Sequence, residues 1–263
     1  MLKLDAYKLK LIAIIGMILS HMVIAWWEIT PTWLAYPMYA AGGLTFPIMA
    51  YFVAEGYKHT RSLKRYVLRV LLFGLIALPF HVLTISLPLG GGNPTMYPLF
   101  NIMFNIAAGL LVLRMYDKMK SRVLFWILFV IIIVPLSMIL LEWYFIGVTM
   151  VLLTHILKNE TARRIVPALF AAVLFVGLGY FSNFSAGIWY YQFIEAGILP
   201  PLLITPSFVS VQVVFPVGMV LAAILLKGYN NERGRRMKWL FYVIYPVHFV
   251  VLLLGMLLIA QLA

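Results

Sequence analysis

The twenty lysines and arginines of this 263-residue chain avoid half of its loops. Hydropathy breaks the sequence into about nine apolar stretches of membrane-crossing length, each needing about 20 residues. Basic residues occupy the N-terminus (Lys3, Lys8, Lys10) and then every second connection. These are Lys58 to Arg69, Arg114 to Arg122, Lys158 to Arg164, and Lys227 to Lys238. The intervening connections, around Glu28 to Tyr36, Ser86 to Pro98, Glu142, and Ser182 to Pro206, hold none. Short cytoplasmic loops keep positive charge in this way. The pattern predicts an all-α, polytopic membrane helix bundle of about nine passes, with the N-terminus inside and the C-terminus outside. The setting it implies is a bacterial cytoplasmic membrane.

The same segregation accounts for a net charge of +12 without nucleic acid as a partner. Only 11% of residues are charged, where a soluble domain carries about a quarter. Nine spans leave room for short loops only, so residues 1–263 read as a single transmembrane domain. The first apolar segment runs into Trp26-Trp27, an interfacial pair, without the small-residue cleavage site of a signal peptide. The expected segments are 9–27, 33–56, 66–87, 99–116, 123–141, 143–157, 165–181, 207–226 and 239–262. Gly90-Gly91-Gly92-Asn93-Pro94 reads as an external turn. The stretch 188–204 carries Glu195 and Pro200-Pro201, and reads as an interfacial or re-entrant helix.

With no cysteine, thiol chemistry, disulfides and thiolate metal sites are excluded. Neither a phosphate-binding Gly-x-x-x-x-Gly-Lys-Ser/Thr nor His-Glu-x-x-His occurs, and the five histidines show no metal-ligand spacing, so no metal site is expected. The informative residues are the polar ones inside apolar runs, because an unpaired polar group in hydrocarbon costs several kcal/mol. Ser20 and His21 lie in the middle-to-outer half of the first segment, and His248 near the middle of the last, after Pro246. Asn101 and Asn105 are four apart and share a helical face, which suits either interhelical hydrogen bonding or a site. Glu55 sits at the inner end of the second segment, with Arg69 and Arg114 about one turn inside the boundary. His81 and His155 read as a backbone-bonded and an interfacial histidine.

Several of these residues fall in strings that resemble the TraX family, which is named for a pilin-acetylating membrane protein and grouped with integral-membrane acyltransferases. Lys10 to His21 resembles the family's apolar run ending in Asp-His. Thr45 to Thr60 is similar to its Phe-Pro segment closing in Glu-Gly and His-Thr, and Tyr66 to Phe73 to its Tyr-x-x-Arg-Leu continuation. Asn101 to Phe104 is similar to its Asn-x-x-Phe helix, and Phe241 to His248 to its closing Phe-Tyr-Pro-x-His. Two positions depart: Ser20 replaces the Asp, and Gly42-Gly43-Leu44 lacks the Arg that precedes the Phe-Pro.

The resemblance implies transfer of an acyl group, acetyl first, from cytoplasmic acyl-CoA to an acceptor at the outer face. On that expectation His21 is the first candidate for general base or nucleophile, and His248 the second, or its partner across the bundle. Asn101, or in its place Asn105, donates to the oxyanion, with Ser20, Asn105 and Glu55 as polar partners. Arg69, Arg114, Lys64 and Arg65 hold the CoA phosphates. The alternatives are a catalytically inactive relative, which Ser20 and Leu44 favour, and a small-solute transporter with proline-broken helices.

Overall fold

A computed structural model describes residues 3–26, 29–86, 100–194, 213–236 and 238–262. Eleven α-helices make up the described fold: α1 Ala6–Ala25, α2 Thr32–Gly43, α3 Thr45–His59, α4 Leu63–His81, α5 Ile102–Lys118, α6 Arg122–Leu128, α7 Val134–Leu140, α8 Tyr144–Ile156, α9 Glu160–Ile194, α10 Phe215–Lys227 and α11 Lys238–Leu262. The nine apolar segments all coincide with helix over the described residues, and the protein is a polytopic helical membrane protein. Among the described residues, six helices are long and apolar enough to cross a membrane: Ala6–Ala25, Thr32–His59, Leu63–Ile85, Arg122–Leu140, Glu160–Leu178 and Trp239–Ile259. Tyr144–Ile156 and Phe215–Lys227 are shorter apolar helices.

Capping and proline place the helix boundaries. Asp5 caps α1 by accepting from the Lys8 N–H, Ser62 caps α4 by accepting from Arg65, and Ser121 caps α6 by accepting from Leu124. Pro47 has no N–H for the Gly43 carbonyl, and the second span divides there into α2 and α3. A π-helical turn at Val82–Ser86 follows Pro79, and another at Phe129–Ile133 precedes Pro135. The seventh segment differs from expectation: α9 continues past Phe181 to Ile194. Its 35 residues rise about 52 Å, beyond the ~30 Å of a hydrocarbon core. The expected glycine turn at 90–94, and most of the 188–204 stretch, lie outside the described residues.

Small residues let α1, α2 and α10 approach backbone to backbone, as membrane helices do. A Cβ on Gly16 would lie 2.2 Å from the Ala41 carbonyl oxygen, and one on Gly218 would lie 1.9 Å from that of Ala40. Thr45 donates to the Ala13 carbonyl at 3.0 Å, fixing the start of α3 against α1.

The basic helix ends gather at one end of the bundle. Arg163 is bonded to Glu55, to Glu160 at 2.7 Å and to the Thr154 carbonyl at 2.8 Å, which joins α3, α8 and α9. Tyr57 donates to Asp117 at 2.8 Å, bringing in α5. Leu4 N–H donates to the Gly228 carbonyl at 3.1 Å, and Arg164 bonds Tyr229 O and Asn231, so the α10–α11 loop closes over the N-terminus. Glu55 is therefore a strut of the basic end, held by Arg163 and Lys58. The expectation that it serves the histidine site is corrected.

Candidate functional site: a histidine pair above a basic cavity

His21 of α1 and His248 of α11 meet inside the bundle, with His21 Nδ1 and His248 Nε2 2.8 Å apart. Their rings are nearly parallel, at 11°, and both are buried. Phe249 packs against both rings, and His81 lies edge-on to it at 5.3 Å. Hydrogen bonds fix which nitrogen carries which proton. His248 Nδ1 faces the Ile244 carbonyl oxygen at 3.2 Å. A carbonyl only accepts, so Nδ1 holds the hydrogen and Nε2 of a neutral His248 is bare. The 2.8 Å contact then requires Nδ1–H on His21. Its Nε2 is left with a lone pair, the form that takes a proton or attacks a carbonyl.

A cavity of about 160 Å³ adjoins His21, with Tyr39, Thr45, Glu142, Trp143 and Phe215 in its wall. Thr45, Met17 and Ile102 also line a second, constricted cavity of about 30 Å³, with Met49, Met103 and Tyr245. Met49, Met103, Ile106 and Phe241 are shared in turn with a third cavity of about 390 Å³ at the basic end. Lys10, His59, Arg69, Arg233, Arg235 and Arg236 line this basal cavity, and no carboxylate does among its described residues. Lys10 and His21 are eleven residues apart on α1, so the two ends of the series lie about 16 Å apart along the helix. The three cavities thus share wall residues in series from the basic mouth to His21, and the middle one is apolar and methionine-walled.

The other expected site residues are placed differently. Asn101 caps α5, accepting from the Met103 N–H at 3.1 Å and donating to the Gly74 carbonyl at 2.9 Å. Asn105 accepts from the Trp143 N–H at 3.1 Å and donates to the Tyr144 carbonyl at 3.2 Å. Both amides are bound to backbone, fastening α4 and α8 to α5, in place of the oxyanion contact expected of Asn101. Ser20 donates to the Met17 carbonyl of its own helix at 3.0 Å, so it is not the partner of His21. Among the four cations assigned to the mouth, only Arg69 lines the basal cavity. Lys64 and Arg114 line a separate depression with Asp117 and His155, and Arg65 lines neither. These helices reach the same depth but face different sides of the bundle, which sequence position does not reveal.

Lys10, Arg233, Arg235 and Arg236 were missed as mouth residues because the α10–α11 loop folds back onto α1. Glu142 was read as an external loop residue. The available signal was the length of that loop, residues 141–143, too short to carry a carboxylate clear of the bundle.

The fold and site define a class: a polytopic helical membrane protein with a buried histidine pair above a cationic cavity. The chain belongs to the TraX family, matching the family described as TraX protein over residues 6–256. It is similar to a protein of Dichelobacter nodosus named probable fimbrial assembly protein FimC, serogroup H1. The two are 27% identical over 257 residues, covering 94% of each chain. No solved structure was found to match it.

Proposed function

We propose that this protein is a bacterial cytoplasmic-membrane acyltransferase. It moves an acyl group, acetyl in the first instance, from acyl-CoA at the basic, cytoplasmic end to an acceptor reached from the opposite face. The observation that carries this reading is the series of cavities, joined by shared wall residues, between a carboxylate-free cationic cavity and the bare Nε2 of His21. Five Lys and Arg side chains around one cavity, without an Asp or Glu in its described wall, suit a polyanion such as the phosphates of CoA. Arg69 stands in this wall with its guanidinium over the Tyr242 ring, at 5.9 Å. The apolar middle of the path suits an extended thioester arm better than an ion, which disfavours the transporter reading. His21 Nε2 takes the proton of the acceptor's amine or hydroxyl as that atom attacks the thioester. The name of the relative ties that protein to fimbrial assembly, and a fimbrial subunit is the acceptor we propose.

The test is transfer from labelled acetyl-CoA by detergent-purified protein. His21→Ala should abolish transfer with the fold intact, and Arg69→Gln should raise the donor KM more than it lowers kcat. A wild-type protein that binds no acetyl-CoA would favour a non-catalytic assembly role, the alternative that Ser20 supports.

A further inference from the structure

Glu142 is the one carboxylate in the described wall of the His21 cavity. The turn that carries it is fastened on both sides. Phe100 N–H donates to the Leu140 carbonyl at 3.1 Å, and Glu142 N–H returns a bond to the Phe100 carbonyl at 3.0 Å. Asn105 then holds Trp143 and Tyr144. Tyr144 is driven to a φ of 46°, a left-handed conformation that a bulky side chain adopts only when its surroundings impose it. Oε2 of Glu142 is sealed and has no hydrogen-bond partner among the described residues. A carboxylate kept only for structure would have both oxygens bonded, because an orphaned buried acceptor costs about 1–3 kcal/mol.

We infer that Glu142 is a positioning residue of this site: across the cavity from His21, its carboxylate supplies the negative charge that stabilises His21 once the imidazole is protonated. The inference rests on the acyl-transfer reading. The acceptor X–H bond breaks and its proton passes to His21 Nε2. The X–C bond forms and the thioester C–S bond breaks. The thiolate then takes the proton back from His21, and Glu142 stays ionised throughout. For a buried side chain an imidazolium with no counter-charge is costly, and Ser20, bonded to its own helix, offers none.

The groups facing Glu142 are His21 from α1, Tyr39 from α2, Tyr144 beside it and Tyr245 from α11. Helices α9 and α10 contribute Phe175 and Phe215, and no Lys or Arg is among the described lining residues. With no cation beside it, burial pushes the Glu142 carboxyl up to about 7. A reaction that needs the ionised form therefore gains rate as pH rises through about 7.

The test combines turnover with chemical labelling. Wild-type transfer from acetyl-CoA should rise through that limb. Glu142→Gln, which keeps shape and removes charge, should lose the limb and about tenfold or more in kcat at alkaline pH. Glu142→Asp should retain the limb at reduced rate. A Gln variant with unchanged turnover and an unchanged pH profile overturns the inference. Dicyclohexylcarbodiimide, which attacks protonated carboxyls in apolar surroundings, should label Glu142 at low pH and progressively less as pH rises through about 7. If the wild type shows no transfer at any pH, the acyl-transfer reading falls, and labelling alone decides on Glu142. A decline through that range upholds a carboxyl that gains its charge in the wall of the His21 cavity; labelling that ignores pH overturns it.

Discussion

Replacing His248 by Ala tests the paired-imidazole geometry directly. The substitution removes the acceptor 2.8 Å from His21 Nδ1 and the ring against Phe249. His21 is only 8% exposed, so water replaces that acceptor poorly. An orphaned donor of this kind costs about 1–3 kcal/mol. The larger consequence is kinetic. Without an acceptor for Nδ1–H, the His21 proton is free to move to Nε2, and the ring loses its orientation. A positioned general base contributes about 10²–10⁴-fold, equivalent to about 2.7–5.4 kcal/mol. His248→Ala is expected to lose most of that in kcat while the donor KM changes little. His248→Gln, whose amide oxygen can accept from Nδ1–H, should recover part of it. Because His248 acts through His21, the double variant His21→Ala/His248→Ala should be no slower than His21→Ala alone. The assay is transfer from labelled acetyl-CoA in detergent, with ¹⁵N imidazole spectra reporting the His21 tautomer. Additive losses in the double variant, or a His248→Ala protein within about threefold of wild type in kcat/KM, would refute the positioning of His21 by His248.

Two further outcomes follow from the packing and one from the charge pattern. Arg163→Met should destabilise the protein by about 1–3 kcal/mol, the cost of lost hydrogen bonds to a buried guanidinium, because Glu55 and the Thr154 carbonyl lose their donor while the half-exposed Glu160 keeps Arg164; thermal unfolding in detergent measures it. Gly218→Ala, whose Cβ would fall 1.9 Å from a backbone oxygen, should cost about 1–3 kcal/mol through overpacking and lower the unfolding temperature, whereas Gly177→Ala meets nothing within 4 Å and should not. Reporter fusions after Asn93 and Ala263 should report outside and those near Lys120 inside; a cytoplasmic C-terminus would overturn the charge-based topology.

Alternation of Lys and Arg among the loops was legible in the sequence because charge in hydrocarbon is prohibitive, so each apolar run had to be a helix and the basic ends had to lie together. His21 and His248 stood out for the same reason, as imidazoles inside runs that otherwise tolerate only apolar groups. The family-like strings Lys10 to His21 and Phe241 to His248 marked both ends of the pair. Nothing local to either string dictates that they touch. That contact depends on α1 and α11 being neighbours, a relation between segments more than two hundred residues apart.

Tertiary structure alone separated residues of equal depth. Arg69 and Arg114 both lie about one turn from the basic boundary, yet the rotation of α4 and α5 turns one into the basal cavity and the other into a different depression. Asn101 and Asn105 are spaced to share a helical face, yet Asn101 caps α5 and bonds α4 while Asn105 bonds the start of α8, so the backbone groups brought against each decided its partner. Glu142 reads as an ordinary loop acid until the Phe100 and Asn105 contacts fold its turn over the His21 cavity. Hydropathy and charge act on each segment separately, so the sequence by itself determined depth and end. Angular position around the bundle is set by side chains meeting across helices, and only the folded chain decides it.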